Sequence, residues 1–183
     1  MSKAKILAFA GSVRETSFNR TLLSLACQKA SDAGGEVTVV DLKQFEIPLY
    51  DGDLEKSKGI PDGAQKLHSM LGSHDAILVA SAEYNGSVSG VLKNAIGWIS
   101  RPQGDARHLA GFKGKVAGLL AASPGVMGGF HGLVRLRDIL GYILPEQVLV
   151  AKSHAAFDEN GSLKGSRTLE MLDSLVASLV ATT

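Results

Sequence analysis

The stretch Gly11-Ser-Val-Arg-Glu-Thr-Ser-Phe-Asn19 follows an apolar run, Ile6-Leu-Ala-Phe-Ala10, and leads into Asn19-Arg-Thr-Leu-Leu-Ser-Leu-Ala26. The apolar run predicts a buried strand. Apolar residues recur at helical spacing after Asn19, which predicts a helix. The quoted stretch is therefore a strand-to-helix turn close to the first residue of the chain.

This turn carries side chains that suit an anion. It offers the hydroxyls of Ser12, Thr16 and Ser17, the amide of Asn19 and the guanidinium of Arg14. A helix N-terminus leaves backbone N–H groups unpaired, and an arginine can bind a phosphate through two hydrogen bonds. Ser17 as a simple N-cap is the alternative, but it explains only one of the hydroxyls. We interpret the turn as a phosphate-binding loop.

The loop differs from two familiar nucleotide loops. It has no lysine, which a Walker A loop needs, and Gly11 is its only glycine, whereas a dinucleotide loop has three. A single terminal phosphate therefore fits it better than a pyrophosphate.

The length, charge and cysteine content limit the number of domains and the kinds of partner that the chain can have. The chain has 183 residues and a net charge of +1, so we expect one domain, residues 1–183, and no strong field for nucleic acid or an anionic membrane. Cys27 is the only cysteine, which excludes a disulfide framework and a cysteine cluster for metal. No apolar run approaches a membrane span or forms a signal peptide. These features predict a soluble cytoplasmic protein without a metal site.

Strand and helix patterns alternate along the chain, which predicts an α/β fold with a parallel sheet covered on both faces. The predicted strands are Ile6–Ala10, Glu36–Asp41, Ala76–Ser81, Val116–Ala122 and Gln147–Lys152. The predicted helices are Asn19–Ala33, Asp62–Ser73, Ser89–Ser100, Gly129–Leu140 and Ser166–Val180. Tyr50–Pro61 is polar and predicts a surface excursion.

Two further loops leave predicted strands with unusual chemistry, and parallel strands bring such loops to one edge of the sheet. Residues 81–89 contain Tyr84, with a broad apolar face, and the turn-forming pair Asn85 and Gly86. They could cover a flat heteroaromatic ring, or they could be an ordinary loop in which Ser89 caps the next helix. Residues 123–129 hold three glycines, which allow close approach of a ligand but also occur in ordinary turns.

Taken together, these loops resemble the NADPH-dependent FMN reductase family, flavodoxin-like proteins that include quinone, chromate and azo-dye reductases. The resemblance runs almost end to end. Its motifs are Gly11-Ser-x-Arg14-x-x-Ser17-x-Asn19; Pro48-Leu-Tyr50 with Asp53; Glu83-Tyr-Asn85 with Ser87, Gly90, Leu92-Lys-Asn-Ala-Ile96, Trp98 and Ser100-Arg101; Ser123-Pro-Gly125 with Gly128-Gly129 and Leu136-Arg137; and Phe157-Asp-Glu-Asn-Gly161.

The resemblance implies a flavodoxin-like three-layer sandwich with strand order 2-1-3-4-5. It implies bound FMN, NADPH as substrate, and a small-molecule acceptor that is free flavin, a quinone, chromate or an azo compound. No side chain is required as a catalytic acid or base, because the flavin performs the chemistry. The implied cofactor-binding residues are Ser12, Arg14, Ser17, Phe18 and Asn19 around the phosphate, Ala82, Glu83, Tyr84, Asn85 and Gly86 along the ring, and Ser123, Gly125 and Gly128 at its other edge.

This chain departs from the family pattern at several positions. The family usually has proline where Ala82 and Ser89 stand, aspartate where Gly97 stands and, frequently, arginine where His131 stands. Because proline restricts the backbone, we expect a less rigid ring loop here. Arg101 and Arg107 are candidates for the extra phosphate of NADPH, and solvated loop arginines are the equal alternative.

Two other functions remain open on the residues alone. A non-enzymatic electron carrier of the flavodoxin type is one, although such carriers are usually strongly acidic and have a threonine-rich phosphate loop. A flavin-free binding module on the same fold is the other.

We also predict a homodimer or homotetramer. The predicted helix Ser89–Ser100 is apolar on more than one stripe, which indicates association unless the helix is buried within its own subunit. The resemblance agrees, since members of the family are commonly dimers or tetramers.

Overall fold

A computed structural model describes residues 3–102, 110–140 and 142–183. Its strands are β1 (Lys5–Ala10), β2 (Glu36–Val40), β3 (Ala76–Ala80), β4 (Glu83–Tyr84), β5 (Ser87–Val88), β6 (Val116–Ala122) and β7 (Ile143–Val150). Its helices are α1 (Phe18–Asp32), α2 (Gly52–Lys58), α3 (Asp62–Gly72), α4 (Gly90–Ile99), α5 (Phe130–Leu140), α6 (Ser153–Ala156) and α7 (Ser166–Ala181). Short 3-10 turns lie at Leu42–Phe45 and Ala110–Phe112.

The main sheet is parallel, with the order β2-β1-β3-β6-β7. This confirms the predicted order, because β4 and β5 form a separate antiparallel hairpin between the third and fourth strands of the sheet. The chain first runs outward from β1 to β2 and then crosses back to β3. The order of strands therefore reverses between β1 and β3, which is where open α/β sheets bind ligands.

Successive residues of the buried strands point to opposite faces of the sheet and build two cores. Ile6, Ala8 and Ala10 of β1 pack with α1 and α7 on one face. Leu7 and Phe9 pack with α3, α4 and α5 on the other. This double burial explains why β1, β3 and β6 are continuous apolar runs rather than alternating ones.

Two segments differ from the predictions. Tyr50–Pro61 contains α2, whose N-cap Asp51 accepts hydrogen bonds from Asp53 N at 2.8 Å and Leu54 N at 3.4 Å. The helix has no buried residue, so its sequence lacks the apolar periodicity that reveals most helices.

The last strand is longer than predicted. It begins at Ile143, and its pairing with β6 shifts register between Ala117 and Leu119, beside Pro145. Proline cannot donate to a strand ladder, and an edge strand with an irregularity tolerates it.

Candidate functional site

Three loops meet at the carboxyl edge of the sheet because β1, β3 and β6 are neighbours. Each loop continues the ladder by one hydrogen bond before it leaves the sheet. Gly11 N donates to Ala80 O at 2.8 Å, Ser81 N donates to Leu120 O at 2.8 Å, and Ser123 N donates to Val150 O at 3.0 Å. The three loops therefore start at the same level and converge as predicted.

The first loop presents free donors at the start of α1. Ser17 occupies the N-cap position, but its side chain makes no capping hydrogen bond. Its carbonyl oxygen instead accepts from Arg20 N at 2.9 Å and Thr21 N at 3.1 Å. Ser12 and Ser17 are both 6% exposed, so each can contact a bound group without projecting into solvent. The N-cap alternative therefore does not account for the Ser17 hydroxyl.

Arg14 is the exposed cation of this loop. Its backbone N–H donates to Ser12 Oγ at 3.4 Å. Within the part of the chain that the structure describes, its guanidinium makes no ion pair. The first turn of α1 supplies the N–H groups of Phe18 and Asn19, which have no intrahelical partner and no other partner among the described residues. Together these donors fit a phosphate.

The side chain of Asn19 has a different role from the one the sequence predicted. Its Nδ2 donates to Ala122 O and its Oδ1 accepts from Ala122 N, each at 2.9 Å. Both ends of the amide are thus occupied by the end of β6. The prediction that this amide binds phosphate is corrected, and only the backbone N–H of Asn19 is left for a ligand.

The second loop, residues 82–88, is a tight hairpin that we call the ring loop. Asn85 and Gly86 connect β4 to β5 with φ of 52° and 71°. Two positive φ values are the signature of a type I′ turn, which asparagine and glycine adopt most readily. The turn exposes Tyr84, whose side chain is 50% exposed.

The ring loop is joined to the first loop by Ser89. This residue is fully buried, and its hydroxyl donates to Gly11 O while it accepts from Leu92 N at 3.3 Å. A Cβ at Gly11 would lie 3.0 Å from Leu92 Cδ2, so the first loop sits directly against α4. This hydrogen bond ties the end of the ring loop at one of the two positions where the family usually has proline, and the lower rigidity expected there stays a prediction.

The third loop, residues 123–129, folds on itself and on the end of β7. Ser123 Oγ accepts from Gly125 N at 3.2 Å, and Gly125 O accepts from Lys152 N at 3.1 Å. Gly129 has φ of 92°, and a Cβ there would lie 2.6 Å from Ala121 Cβ. Glycine is therefore required where this loop turns into α5.

The three loops enclose a cleft of about 100 Å³. Most of the predicted binding residues line it. The lining is Ser12, Arg14, Ser17, Phe18, Asn19, Ala82, Glu83, Tyr84, Ala122, Ser123 and Pro124. The predicted residues Asn85, Gly86, Gly125 and Gly128 lie on the same loops but not in this lining. The sequence did not predict Ala122 or Pro124 as binding residues, because both are apolar and only Pro124 lies in a quoted motif, Ser123-Pro-Gly125.

A larger cavity of about 240 Å³ lies on the other side of Ser12, between α1 and β2. Only the first loop reaches it. The charged groups there, Arg20 and Asp41, already pair with each other at 3.0 Å. The smaller cleft, where all three loops meet, is the candidate site.

Arg101, a predicted candidate for the extra phosphate of NADPH, is already hydrogen-bonded within the chain. Arg101 Nε donates to Glu55 Oε1 at 2.8 Å, and Tyr50 OH donates to Glu55 Oε2 at 2.9 Å. The Arg101 hydrogen bond holds the pKa of Glu55 below its usual range, while the bond to Glu55 raises the pKa of Tyr50. Arg101 is therefore engaged rather than free, and Arg107 lies outside the described residues.

Helix α4 does not offer the apolar surface on which the oligomer prediction rested. Trp98 is fully buried, and its Nε1 donates to Pro48 O at 2.8 Å. Leu92, Ala95, Ile96 and Ile99 are buried as well. The second apolar stripe of the helix is covered by the subunit's own chain, so this basis for an oligomer is wrong.

Among the residues that the structure describes, no group of three or more His, Cys, Asp or Glu side chains could hold a metal ion. In the same residues, no helix combines the length and apolar character that crossing a bilayer demands.

Comparison with known proteins identifies the family. The sequence pattern described as NADPH-dependent FMN reductase matches residues 4–159. This chain belongs to that family. An NAD(P)H-dependent FMN reductase of Pseudomonas aeruginosa is 33% identical over 96% of this chain and 92% of its own length. A quinone reductase of Escherichia coli K12 is 33% identical over 77% of this chain and 71% of its own.

A solved structure of a flavoenzyme has the same fold as this chain. The flavoenzyme NAD(P)H:(acceptor) oxidoreductase FerB of Paracoccus denitrificans superposes with a TM-score of 0.79 at 29% identity, covering 98% of this chain and 96% of FerB. The predictions of family and of an oxidoreductase that works with FMN and NAD(P)H are confirmed at this level.

Proposed function

We propose that the cleft holds FMN, with its phosphate on the first loop and its ring toward the ring loop and the third loop. The uncapped Ser17 hydroxyl at the start of α1 carries this proposal, because it leaves an uncommitted donor on a buried residue that lines the cleft with Ser12 and the exposed Arg14. A volume of about 100 Å³ suits a phosphate and part of a polyol chain. The ring would lie at the open end, near the exposed Tyr84.

In this proposal the enzyme takes hydride from NADPH and passes electrons to an acceptor. Bound FMN supplies the hydride-accepting and electron-donating chemistry. The chain binds the phosphate through Arg14 and Ser17 and orients the ring through ring-loop backbone. The acceptor is a small molecule, either free flavin, a quinone, chromate or an azo compound. Relatives named quinone reductases favour a quinone as the first to test.

Spectra of the purified protein test this function. Flavin absorbance together with rapid consumption of NADPH in the presence of a quinone supports the reductase. Flavin without consumption would support an electron carrier instead. A protein that neither retains FMN nor binds added FMN would leave only a binding module, and would overturn the proposal.

The proposal includes a cytoplasmic homodimer or homotetramer, with a surface different from the one the sequence indicated. The third loop and the start of α5, beside the cleft, form an apolar rim that exposes Val126 at 73%, Met127 at 49% and Phe130 at 41%. A second copy could cover this apolar rim. Sedimentation velocity of two variants tests whether this rim is the interface. Met127→Glu changes the rim, and Met171→Glu is a control on α7, where Met171 is 40% exposed. We expect only Met127→Glu to dissociate the protein, and a monomeric unmodified protein would refute the assembly.

A further inference from the structure

Glu83, at the start of the ring loop, reaches across to the N-terminus of α5. Its carboxylate Oε2 accepts a hydrogen bond from Gly132 N at 2.8 Å, and its side chain is only 18% exposed. Gly132 is the third residue of α5, so its N–H belongs to the first turn, where no intrahelical partner exists. Glu83 therefore caps a helix that begins 47 residues later in the chain.

The two segments also fit against each other sterically. A Cβ placed on Gly132 would lie 3.1 Å from Glu83 Cβ and 3.4 Å from Glu83 Cα. Glycine at this helical position lets the backbone of the ring loop rest directly on α5. The other carboxylate oxygen lies 3.7 Å from His131 Nδ1, a looser contact than the bond to Gly132.

The third loop leads straight into this helix. Phe130 N donates to Met127 O at 3.0 Å, and Leu133 N donates to Gly129 O at 3.2 Å. Anchoring the first turn of α5 therefore also anchors the end of the third loop. The Glu83–Gly132 bond joins two of the three loops that form the cleft.

We propose that Glu83 is a positioning residue that sets the separation between the ring loop and the third loop, and thereby the affinity for the flavin ring. The proposal rests on the FMN function above. Glu83 also lines the cleft, so direct contact of its carboxylate with the ligand is the competing role. Glu83→Gln separates the two roles, because it keeps an acceptor for Gly132 N and removes the charge that a direct contact of the carboxylate would use.

Titrations with riboflavin and FMN test the proposal with four variants. Glu83→Ala removes the bond, and Gly132→Ala adds a methyl group that pushes Glu83 away from α5. Glu83→Gln keeps an acceptor for Gly132 N, and Gly97→Ala adds a methyl group to α4 with no atom of the described residues within 4 Å. We expect Glu83→Ala and Gly132→Ala to weaken riboflavin and FMN binding alike, each by about tenfold, with an altered dichroism of the bound flavin. Glu83→Gln should stay within about threefold, and Gly97→Ala should match the unmodified protein.

Amide hydrogen exchange in the flavin-free protein tests the bond independently of any ligand. Glu83→Ala should speed exchange at Gly132 by about tenfold, and Glu83→Gln should restore slow exchange. Unchanged riboflavin affinity in Gly132→Ala, or a Glu83→Gln variant as weak as Glu83→Ala, would overturn the positioning role while leaving FMN binding intact. Failure of the unmodified protein to bind either flavin would instead refute the proposed function, and the exchange result would then still decide whether the bond exists.

Discussion

Asn19 and Ala122 exchange two hydrogen bonds of 2.9 Å, one in each direction, between a side-chain amide and the main chain. Asn19 lies in the first turn of α1, and Ala122 ends β6. The pair fixes the helix that follows the first loop to the strand that precedes the third loop. Two walls of the cleft are held together even without a ligand.

Replacing Asn19 by alanine should destabilise the protein. The change leaves the buried N–H and carbonyl of Ala122 without these partners, and an unsatisfied buried group costs about 1–3 kcal/mol. Urea unfolding of the flavin-free protein measures the loss. Gln28→Ala is a control on the same helix, where the exposed side chain bonds only Asp32, and should stay within about 0.5 kcal/mol. Equal stabilities for both variants would contradict the bracing role.

Arg14→Ala should weaken FMN binding and leave riboflavin binding unchanged, because only FMN carries the phosphate. Loss of charged hydrogen bonds predicts a cost of about 1.5–3 kcal/mol. Calorimetric titration with both ligands measures the difference. Arg20→Ala is the matched control, since that guanidinium already pairs with Asp41. FMN affinity that survives in a folded Arg14→Ala variant would rule out the phosphate assignment.

Steady-state kinetics should be ping-pong. NADPH and the acceptor are expected to use the same open face of the site, beside Tyr84, so they must take turns. Initial rates at varied NADPH and quinone should give parallel double-reciprocal lines. Intersecting lines would show that both substrates bind at once.

Ser89→Pro should be less destabilising than Ser89→Ala. Both remove the hydroxyl that bonds Gly11 O and Leu92 N, at a cost of about 1 kcal/mol or more. Ser89 has φ of −63°, which proline adopts without strain, and proline restricts the unfolded chain by about 0.4–1 kcal/mol. Denaturation midpoints of the two variants give the comparison. A Ser89→Pro variant that is less stable than Ser89→Ala would show that the backbone at position 89 does not accept a proline ring.

Cys27 should be unreactive in the folded protein. Burial raises the pKa of its thiol from 9.0 to about 12, so the thiol is protonated at neutral pH and a poor nucleophile. Above pH 9 the unfolded thiol ionises while the folded one does not, so stability falls between pH 9 and 12 by up to about 1.4 kcal/mol per pH unit. Cys27→Ala should lose this part of the alkaline slope. Identical slopes in both proteins would disprove the shift.

The sheet could be predicted because burial on both faces makes its strands continuous apolar runs, as in Ala76–Ala80 and Val116–Ala122. The loops could be predicted from their chemistry and from the rule that parallel strands end at one edge. The role of the Asn19 side chain could not be predicted, because its partner Ala122 lies 103 residues away and the contact depends on how the strands are placed.

Helix α4 shows a second limit. An apolar stripe looks the same in sequence whether its own chain or another subunit covers it. Here Trp98 meets the segment at Pro48 and Tyr50, with the rings of Tyr50 and Trp98 4.9 Å apart. Only tertiary structure could reveal this contact.

Helix α2 follows this segment and is only shallowly packed. The helix has no fully buried residue, Leu54 packs against the core only in part, and Glu55, bonded to Arg101 and Tyr50, is its charged link to the segment after α4. The hydrogen bond from Arg101 lowers the pKa of Glu55. The Glu55 carboxylate therefore stays ionised below the pH at which a free glutamate is protonated. Its bond to Arg101 is lost as the pH falls through the pKa that Glu55 has in the folded protein. Acid should therefore loosen this helix, so that proteases cut it faster while the sheet behind it stays folded.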